Sequence, residues 1–245
     1  MVSSQIKIEI LDIIKEQFAK GDVGTMAIGA GILSNKKIGY RNLIQNDSFL
    51  IAAAAKLSLP REIETYNEIK KALAYINNVK YKAEKNSYNH PINWKTLATV
   101  SDSTIAVVRT NKGNFTIKLF GNTTPGSVAN FIDLANDDFF DNKVYHRVVS
   151  NFVIQGGCPR GDGYGSLDYS IRSELPQLYY DDEGYVGMAS AGLHTEGTQW
   201  FVTHSPTPHL DGKYTIFGKV TEGMDVVHQI VEGDKIIDVI ISIQR

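Results

Sequence analysis

Two patterns of apolar positions follow one another along the chain, and each predicts its own architecture. In residues 4–20, Ile6, Ile10, Ile14 and Phe18 stand four apart with Leu11 and Ile13 beside them, the stripe of an amphipathic helix. Gly21-Asp22 ends that helix and supplies a cap for the next. Residues 21–44 and 46–69 then align at an offset of 25, with identical pairs at Asp22/Asp47, Ala27/Ala52, Ala30/Ala55, Ile38/Ile63, Asn42/Asn67 and Ile44/Ile69. Small Ala and Gly residues open each unit and larger Ile and Tyr close it. This predicts two short helix-pair repeats within a helical segment 1–78, with a last helix over 61–77. Residues 79–102 show no period and read as a linker, pinned to one module by Ile92, Trp94 and Leu97.

From residue 103 the pattern changes to short apolar runs punctuated by turn residues. Thr104–Thr110 and Asn114–Phe120 flank Asn111-Lys112-Gly113, a hairpin signal. Thr123-Thr124-Pro125 opens a helix whose Val128, Phe131, Ile132 and Ala135 share one face. Val144–Val149 and Phe152–Gln155 read as strands that carry Arg147 and Gln155 on a polar face. Further strands are predicted at 185–190, 198–203, 214–220 and 235–243, with a helix over 223–231. About eight strands and two helices in 103–245 predict a closed antiparallel β-barrel, so the chain is mainly β with an α-helical N-terminal segment.

Composition narrows the function classes. With 42% hydrophobic and 21% charged residues in a chain of 245, a packed core is expected and disorder is not. The formal net charge of −2 gives no case for nucleic acid. Charge is uneven, with 14 basic against 9 acidic residues in 1–100 and 11 against 18 in the rest. The lone Cys158 permits no internal disulfide, and no apolar run approaches a membrane span. Met1-Val2-Ser3-Ser4-Gln5 lacks the basic and apolar regions of a signal peptide. The default expectation is a cytoplasmic protein, with a periplasmic or secreted one left open should a leader have been removed.

The most informative stretch is Val144-Tyr145-His146-Arg147-Val148-Val149-Ser150-Asn151-Phe152-Val153-Ile154-Gln155-Gly156-Gly157. It sets a guanidinium, a carboxamide and a phenyl ring into two adjacent strands. A fixed arginine beside an aromatic wall can polarise an uncharged peptide group without a nucleophile or a metal, which suits a reaction that twists a bond. Amide resonance sets a rotation barrier of roughly 18–20 kcal/mol. Rotation localises the lone pair of the amide nitrogen, and a guanidinium donating to that nitrogen favours the twisted state over either planar one.

Residues 103–245 resemble the cyclophilin-type peptidyl-prolyl cis-trans isomerases. The resemblance rests on Tyr145–Val149 with Phe152, on Gln155-Gly156-Gly157, on Gly187-Met188-Ala189-Ser190-Ala191-Gly192, on Gly197-Thr198-Gln199-Trp200-Phe201, and on Leu210–Gly218. It implies an eight-stranded barrel capped by two helices, acting on X-Pro bonds of polypeptides to assist folding, with no cofactor. By position, the catalytic set would be Arg147, with Phe152 and Gln155. Val153, Phe201 and Leu210 would line the proline pocket with Phe152. His146, Ala189, Ser190, Ala191, Gln199, His209 and Tyr214 would complete the groove. His209 stands where many members carry tryptophan, so binding of cyclosporin-like macrocycles is expected to be weak. Tyr214 replaces a common histidine, Ser190 an asparagine, and Cys158, expected as a small packed thiol, an aspartate.

Other signals are weaker. Gly161-Asp162-Gly163-Tyr164-Gly165 lacks the helix and Gly-Lys-Ser/Thr ending of a phosphate-binding loop. His204 and His209 have no further ligand at zinc spacing. Ser190 is one residue off the spacing of a hydrolase nucleophile elbow. The alternative function is a non-catalytic proline-peptide-binding or holdase module. The helical segment, HEAT-like in form, would recruit a protein partner or act as a scaffold.

Overall fold

The computed structural model describes residues 4–86 and 88–243, so Met1–Ser3 of the start and residues 244–245 of the predicted barrel domain lie outside the described residues. The chain divides after Asn86 into two compact units.

The first unit holds α1 (Ser4–Lys20), α2 (Val23–Ser34), α3 (Ser48–Ala54) and α4 (Ile63–Ile76). Gly21 takes φ +78°, and the Asp22 carboxylate accepts from Thr25 N at 2.9 Å to cap α2, as the sequence predicts. The buried stripe of α1 is Leu11, Ile14 and Phe18, whereas Ile6 and Ile13 are exposed. Burial therefore follows the i, i+3, i+7 line rather than the four-residue spacing. Gly29 of α2 explains the choice, because a Cβ there would meet Phe18 at 3.0 Å and Ile14 at 3.2 Å.

The two 25-residue units do not fold alike. Residues 63–69 begin α4, while the matching 38–44 form turns after Gly39, which sits at φ +77°. Ala27 and Ala30 are buried but Ala52 and Ala55 are exposed, and Asp47 makes no side-chain cap. Equal residues at equal spacing thus meet different neighbours.

Of the predicted linker, Glu84 joins the first unit through Asn67 (Glu84 N to Oδ1, 2.7 Å) and Lys70 (2.8 Å). Asn89 and His90 join the second, both donating their backbone N–H to Ser170 O at 3.2 Å. The short α5 (Trp94–Leu97) follows. Ile92 is half-buried, but Trp94 is 67% exposed and does not pin the segment. Leu97 is half-buried near Gly121, and hydrogen bonds add to the hold, among them Asn93 Nδ2 to Asp133 Oδ2 at 3.0 Å.

The second unit contains β1 (Thr104–Thr110), β2 (Gly113–Leu119), α6 (Pro125–Asn136), β3 (Arg147–Val149), β4 (Val153–Gly156), β5 (Tyr185–Met188), β6 (Trp200–Thr203), β7 (Ile216–Glu222), α7 (Met224–Gln229) and β8 (Ile236–Ile243). The strands form one antiparallel sheet in the order β3-β4-β6-β5-β7-β2-β1-β8. Pro125 opens α6 as expected, and its face Val128, Phe131, Ile132 and Ala135 is buried. Thr124 makes no side-chain cap; the Glu174 carboxylate accepts from Gly126 N, Ser127 N and Ser127 Oγ instead.

The sheet curls into an incomplete barrel rather than the closed one predicted. Its edge strands β3 and β8, three and eight residues long, form no ladder with each other. The seam is bridged at Val144↔Lys235, with Tyr145 N donating to Asp234 O at 2.8 Å and Gly233 N to Tyr145 O at 2.9 Å.

Period-two alternation gives both faces of the central strands an apolar role. Ile154, Val186, Met188, Trp200 and Val202 enter the main core with Phe131, Phe140 and Phe217. Their neighbours Val153 and Phe201 point the other way and form a second cluster with Tyr180, Leu210 and Ile216. That second cluster is the floor of the candidate site.

Candidate functional site

Register assembles the site. Arg147 pairs with Gln155, Gln155 with Phe201, and Phe201 with Gly187, so one cross-strand row runs over β3, β4, β6 and β5 on the outer face of the sheet. The β3–β4 turn reverses the chain through Asn151 at φ +58°, and Phe152 N donates to Val149 O at 3.0 Å. This returns the Phe152 ring to the row, with the Arg147 guanidinium 5.6 Å from its centroid. A guanidinium near an aromatic face is held by the ring quadrupole while its N–H groups stay available.

The apolar floor is tightly built. Phe201 is 5% exposed, Val153 2% and Leu210 8%. Leu210 is delivered by a 3-10 turn, Pro208–Leu210, whose end is fixed where Tyr180 N donates to Asp211 Oδ1 at 2.8 Å. Phe201 stacks on Tyr180 at 5.9 Å and meets Tyr214 edge-on at 5.9 Å. His209 stacks on Phe152 at 5.3 Å. Phe152, Ala189 and Tyr214 pack against the same cluster.

Gly187 is required where these rings cross the strand. A Cβ there would overlap Tyr180 Oη and Phe201 Cζ and lie 2.8 Å from Phe201 Cε2.

The polar side is a chain of amides. Gln155 Nε2 donates to Gln199 Oε1 at 3.0 Å, and Gln199 Nε2 donates to Gly163 O at 2.9 Å and Gly165 O at 3.0 Å. Gln155 is thereby oriented beside Arg147 with its own carbonyl oxygen outside that bond. His146 is half-buried against Gly163, where an added Cβ would meet its Cδ2 at 3.1 Å. Burial, opposed by Asp162 and joined by the Arg147 charge, pushes the His146 imidazole below its ordinary range.

The structure therefore brings Arg147, Phe152, Val153, Gln155, Ala189, Gln199, Phe201, His209, Leu210 and Tyr214 together, with His146 behind the amide chain. Ser190 and Ala191 lie on the turn after β5, where Ala191 N donates to Thr195 Oγ1 at 2.8 Å. Cys158 is buried and packed. His204 neighbours His228 at 5.1 Å and His209 serves the Phe152 stack, so the two histidines do not form a pair.

Three features escape sequence reasoning. Tyr180 is fully buried under Phe201, yet in sequence it is one aromatic of a Leu178-Tyr179-Tyr180 run. The glycine-rich loop 161–165 is a backbone anchor for Gln199, which depends on carbonyl direction. Glu196 is fully buried and bridges Ile171; burial pushes its carboxyl above the ordinary range, with Thr215 Oγ1 3.4 Å from Oε1.

Comparison with known proteins bears on this geometry. Residues 105–242 match the family model described as cyclophilin type peptidyl-prolyl cis-trans isomerase/CLD. A peptidyl-prolyl cis-trans isomerase of Synechococcus elongatus is 42% identical over 141 residues, covering 56% of this chain and 94% of that protein. Isomerase B of Bacillus subtilis is 45% identical over 118 residues, covering 48% of this chain and 82% of the relative. A cyclophilin-type isomerase from Cryptosporidium parvum superposes with TM-score 0.54 at 31% identity, over 58% of this chain and 99% of that one. A second structure of that protein, in the presence of the dipeptide Ala-Pro, gives 0.53 at 32% identity, over 56% and 98% of the two chains.

Proposed function

The chain belongs to the cyclophilin-type peptidyl-prolyl cis-trans isomerase family, and on that premise we propose that Arg147 drives isomerisation of X-Pro bonds held over the Val153–Phe201–Leu210 floor. The activity is peptidyl-prolyl cis-trans isomerisation on proline-containing polypeptides. One observation carries the residue assignment: the guanidinium stands 5.6 Å from the Phe152 centroid at the rim of the apolar cluster.

Uncatalysed X-Pro rotation takes roughly tens to hundreds of seconds. The pyrrolidine ring seats on Phe152, Val153, Phe201 and Leu210, which exclude water and hold it still while the preceding carbonyl turns. Gln155, oriented by Gln199, offers hydrogen-bonding groups to the peptide. Ser190 contributes backbone to an extended substrate, and His146, Ala189, Ala191 and Tyr214 shape the walls. As rotation localises the lone pair on the prolyl nitrogen, Arg147 donates to it. A charge-assisted hydrogen bond contributes about 1.5–3 kcal/mol, or roughly one to two decades of rate. The remainder comes from orientation and from the water-excluding floor. A lysine lacks the planar fork and substitutes poorly. With an imidazole at 209 in place of an indole, affinity for cyclosporin-like macrocycles is low.

The test is a proline-limited peptide assay on Arg147→Ala. Turnover falls by one to two decades or more, while the variant keeps the wild-type melting temperature because the side chain is exposed. Full retained activity in the folded variant removes the guanidinium from the mechanism.

A further inference from the structure

A cavity of about 440 Å³ lies on the isomerase unit between residues 88–93, helix α6 and residues 171–175. Its walls come from two sources. Tyr88, Ile92 and Asn93 belong to the strap ahead of residue 105, outside the family match, and Ile171, Arg172 and Leu175 belong to the barrel. Tyr88 and Leu175 are 47% and 40% exposed at its mouth, while Ile171 is buried at 3%. The volume falls within the range of roughly 300–1,000 Å³ typical of ligand pockets.

The two carboxylates in the wall do not make it a cation site, since each is already satisfied. Asp133 accepts from Asn93 Nδ2 and Thr96 Oγ1, and Glu174 accepts from Gly126 N, Ser127 N and Ser127 Oγ. The remaining lining mixes apolar and aromatic groups, Tyr88, Ile92 and Leu175, with the polar side chains of His90, Asn130 and Arg172, a mixed surface of the kind that holds peptide side chains.

The cavity lies beside the turn that follows the groove edge, since Ser173 lines it and is hydrogen-bonded to His194 of that turn. Ser190 and Ala191 sit at the groove edge, and three residues on, His194 packs edge-on against Tyr88 at 4.9 Å. His194 N donates to Ser173 Oγ at 2.8 Å, and Ser173 N donates to His194 Nδ1 at 3.1 Å. Ser173 itself lines the cavity. Three extended residues span at most about 11 Å, so a substrate leaving the groove along Ser190 and Ala191 crosses the turn within three or four of its own residues.

We propose that this cavity is an extended-substrate subsite, in which the strap residues Tyr88 and Ile92, with Leu175, hold side chains of the same polypeptide three to six residues from the isomerised proline. The proposal rests on the groove reading above and adds to it a preference for long polypeptides over short ones.

The test compares a tetrapeptide containing one X-Pro bond with the same core extended by six residues at either flank. Wild-type protein turns over one extended peptide with KM lowered about tenfold, the effect of a well-filled anchor pocket. Leu175→Asp, an exposed change that leaves the strap intact, and the double variant Tyr88→Ala/Ile92→Ala each abolish that gain while leaving tetrapeptide kcat/KM unchanged. Equal KM for all lengths, or a gain that survives both variants, overturns the subsite. A benzophenone at the far end of the favoured peptide reports independently of turnover. Crosslinks map to 88–93 or 171–175 if the subsite exists, and crosslinks elsewhere overturn it. Failure of the groove reading is distinguishable, because it appears as unchanged tetrapeptide turnover in Arg147→Ala.

Discussion

Gly187→Ala is the sharpest probe of how the fold makes the pocket. The residue is not in a left-handed conformation, so a methyl group strains nothing in the backbone. The clash is purely one of packing. The new carbon would overlap Tyr180 Oη and Phe201 Cζ, with Phe201 Cε2 at 2.8 Å. Neither ring has room to yield. Tyr180 is fully buried and Phe201 is 5% exposed, wedged between Tyr180 on its face and Tyr214 at its edge. Overpacking a well-filled core costs about 1–3 kcal/mol, and two immobile aromatic neighbours place this site near the top of that range. For a unit of this size each kcal/mol lowers Tm by about 2–4 °C, so a drop of roughly 6–12 °C is expected. Relief of the clash by tilting Phe201 deforms the pocket floor, and a loss of about 1.4 kcal/mol in transition-state binding lowers kcat/KM about tenfold. Scanning calorimetry and the proline-limited assay read the two effects. Adding Phe201→Leu to Gly187→Ala returns part of the stability, because the ring edge that clashes is removed. A single variant that melts within a degree of wild type and keeps its kcat/KM shows that the rings do not occupy the space assigned to them.

Two further outcomes follow from the same geometry. Gln199→Glu replaces a donor shared by Gly163 O and Gly165 O with an anion facing two carbonyls; an unmet buried bond costs about 1–3 kcal/mol, so amide exchange in 161–165 accelerates and KM rises, and unaltered exchange there sinks the anchoring role. Burial raises the Glu196 pKa in the folded state, so the native protein holds this proton longer than the unfolded chain. Its stabilising contribution is complete below the ordinary value of about 4.3 and is lost as pH rises through the raised folded value. The Tm of wild type relative to Glu196→Gln therefore declines from pH 4 upward, and a difference independent of pH refutes the assignment.

Most elements and the family were legible in the chain itself. Turn residues and apolar runs located the strands, and Pro125 and Asp22 located helix starts, because these signals are local and covalently fixed; the groove residues came from the family resemblance of the motifs between Tyr145 and Gly218. The structure decided what depends on a partner far along the chain. α6 is capped by Glu174, some fifty residues away, rather than by Thr124. The seam between β3 and β8 is held by the single bridge Val144↔Lys235 and a few backbone bonds rather than by a ladder. Ile6, Ile13 and Trp94 look like core in sequence, yet they are 47%, 57% and 67% exposed. Identical residues in the 25-residue units likewise acquire different burial. A hydrophobic side chain states a preference, and only the tertiary arrangement supplies or withholds the neighbour that satisfies it.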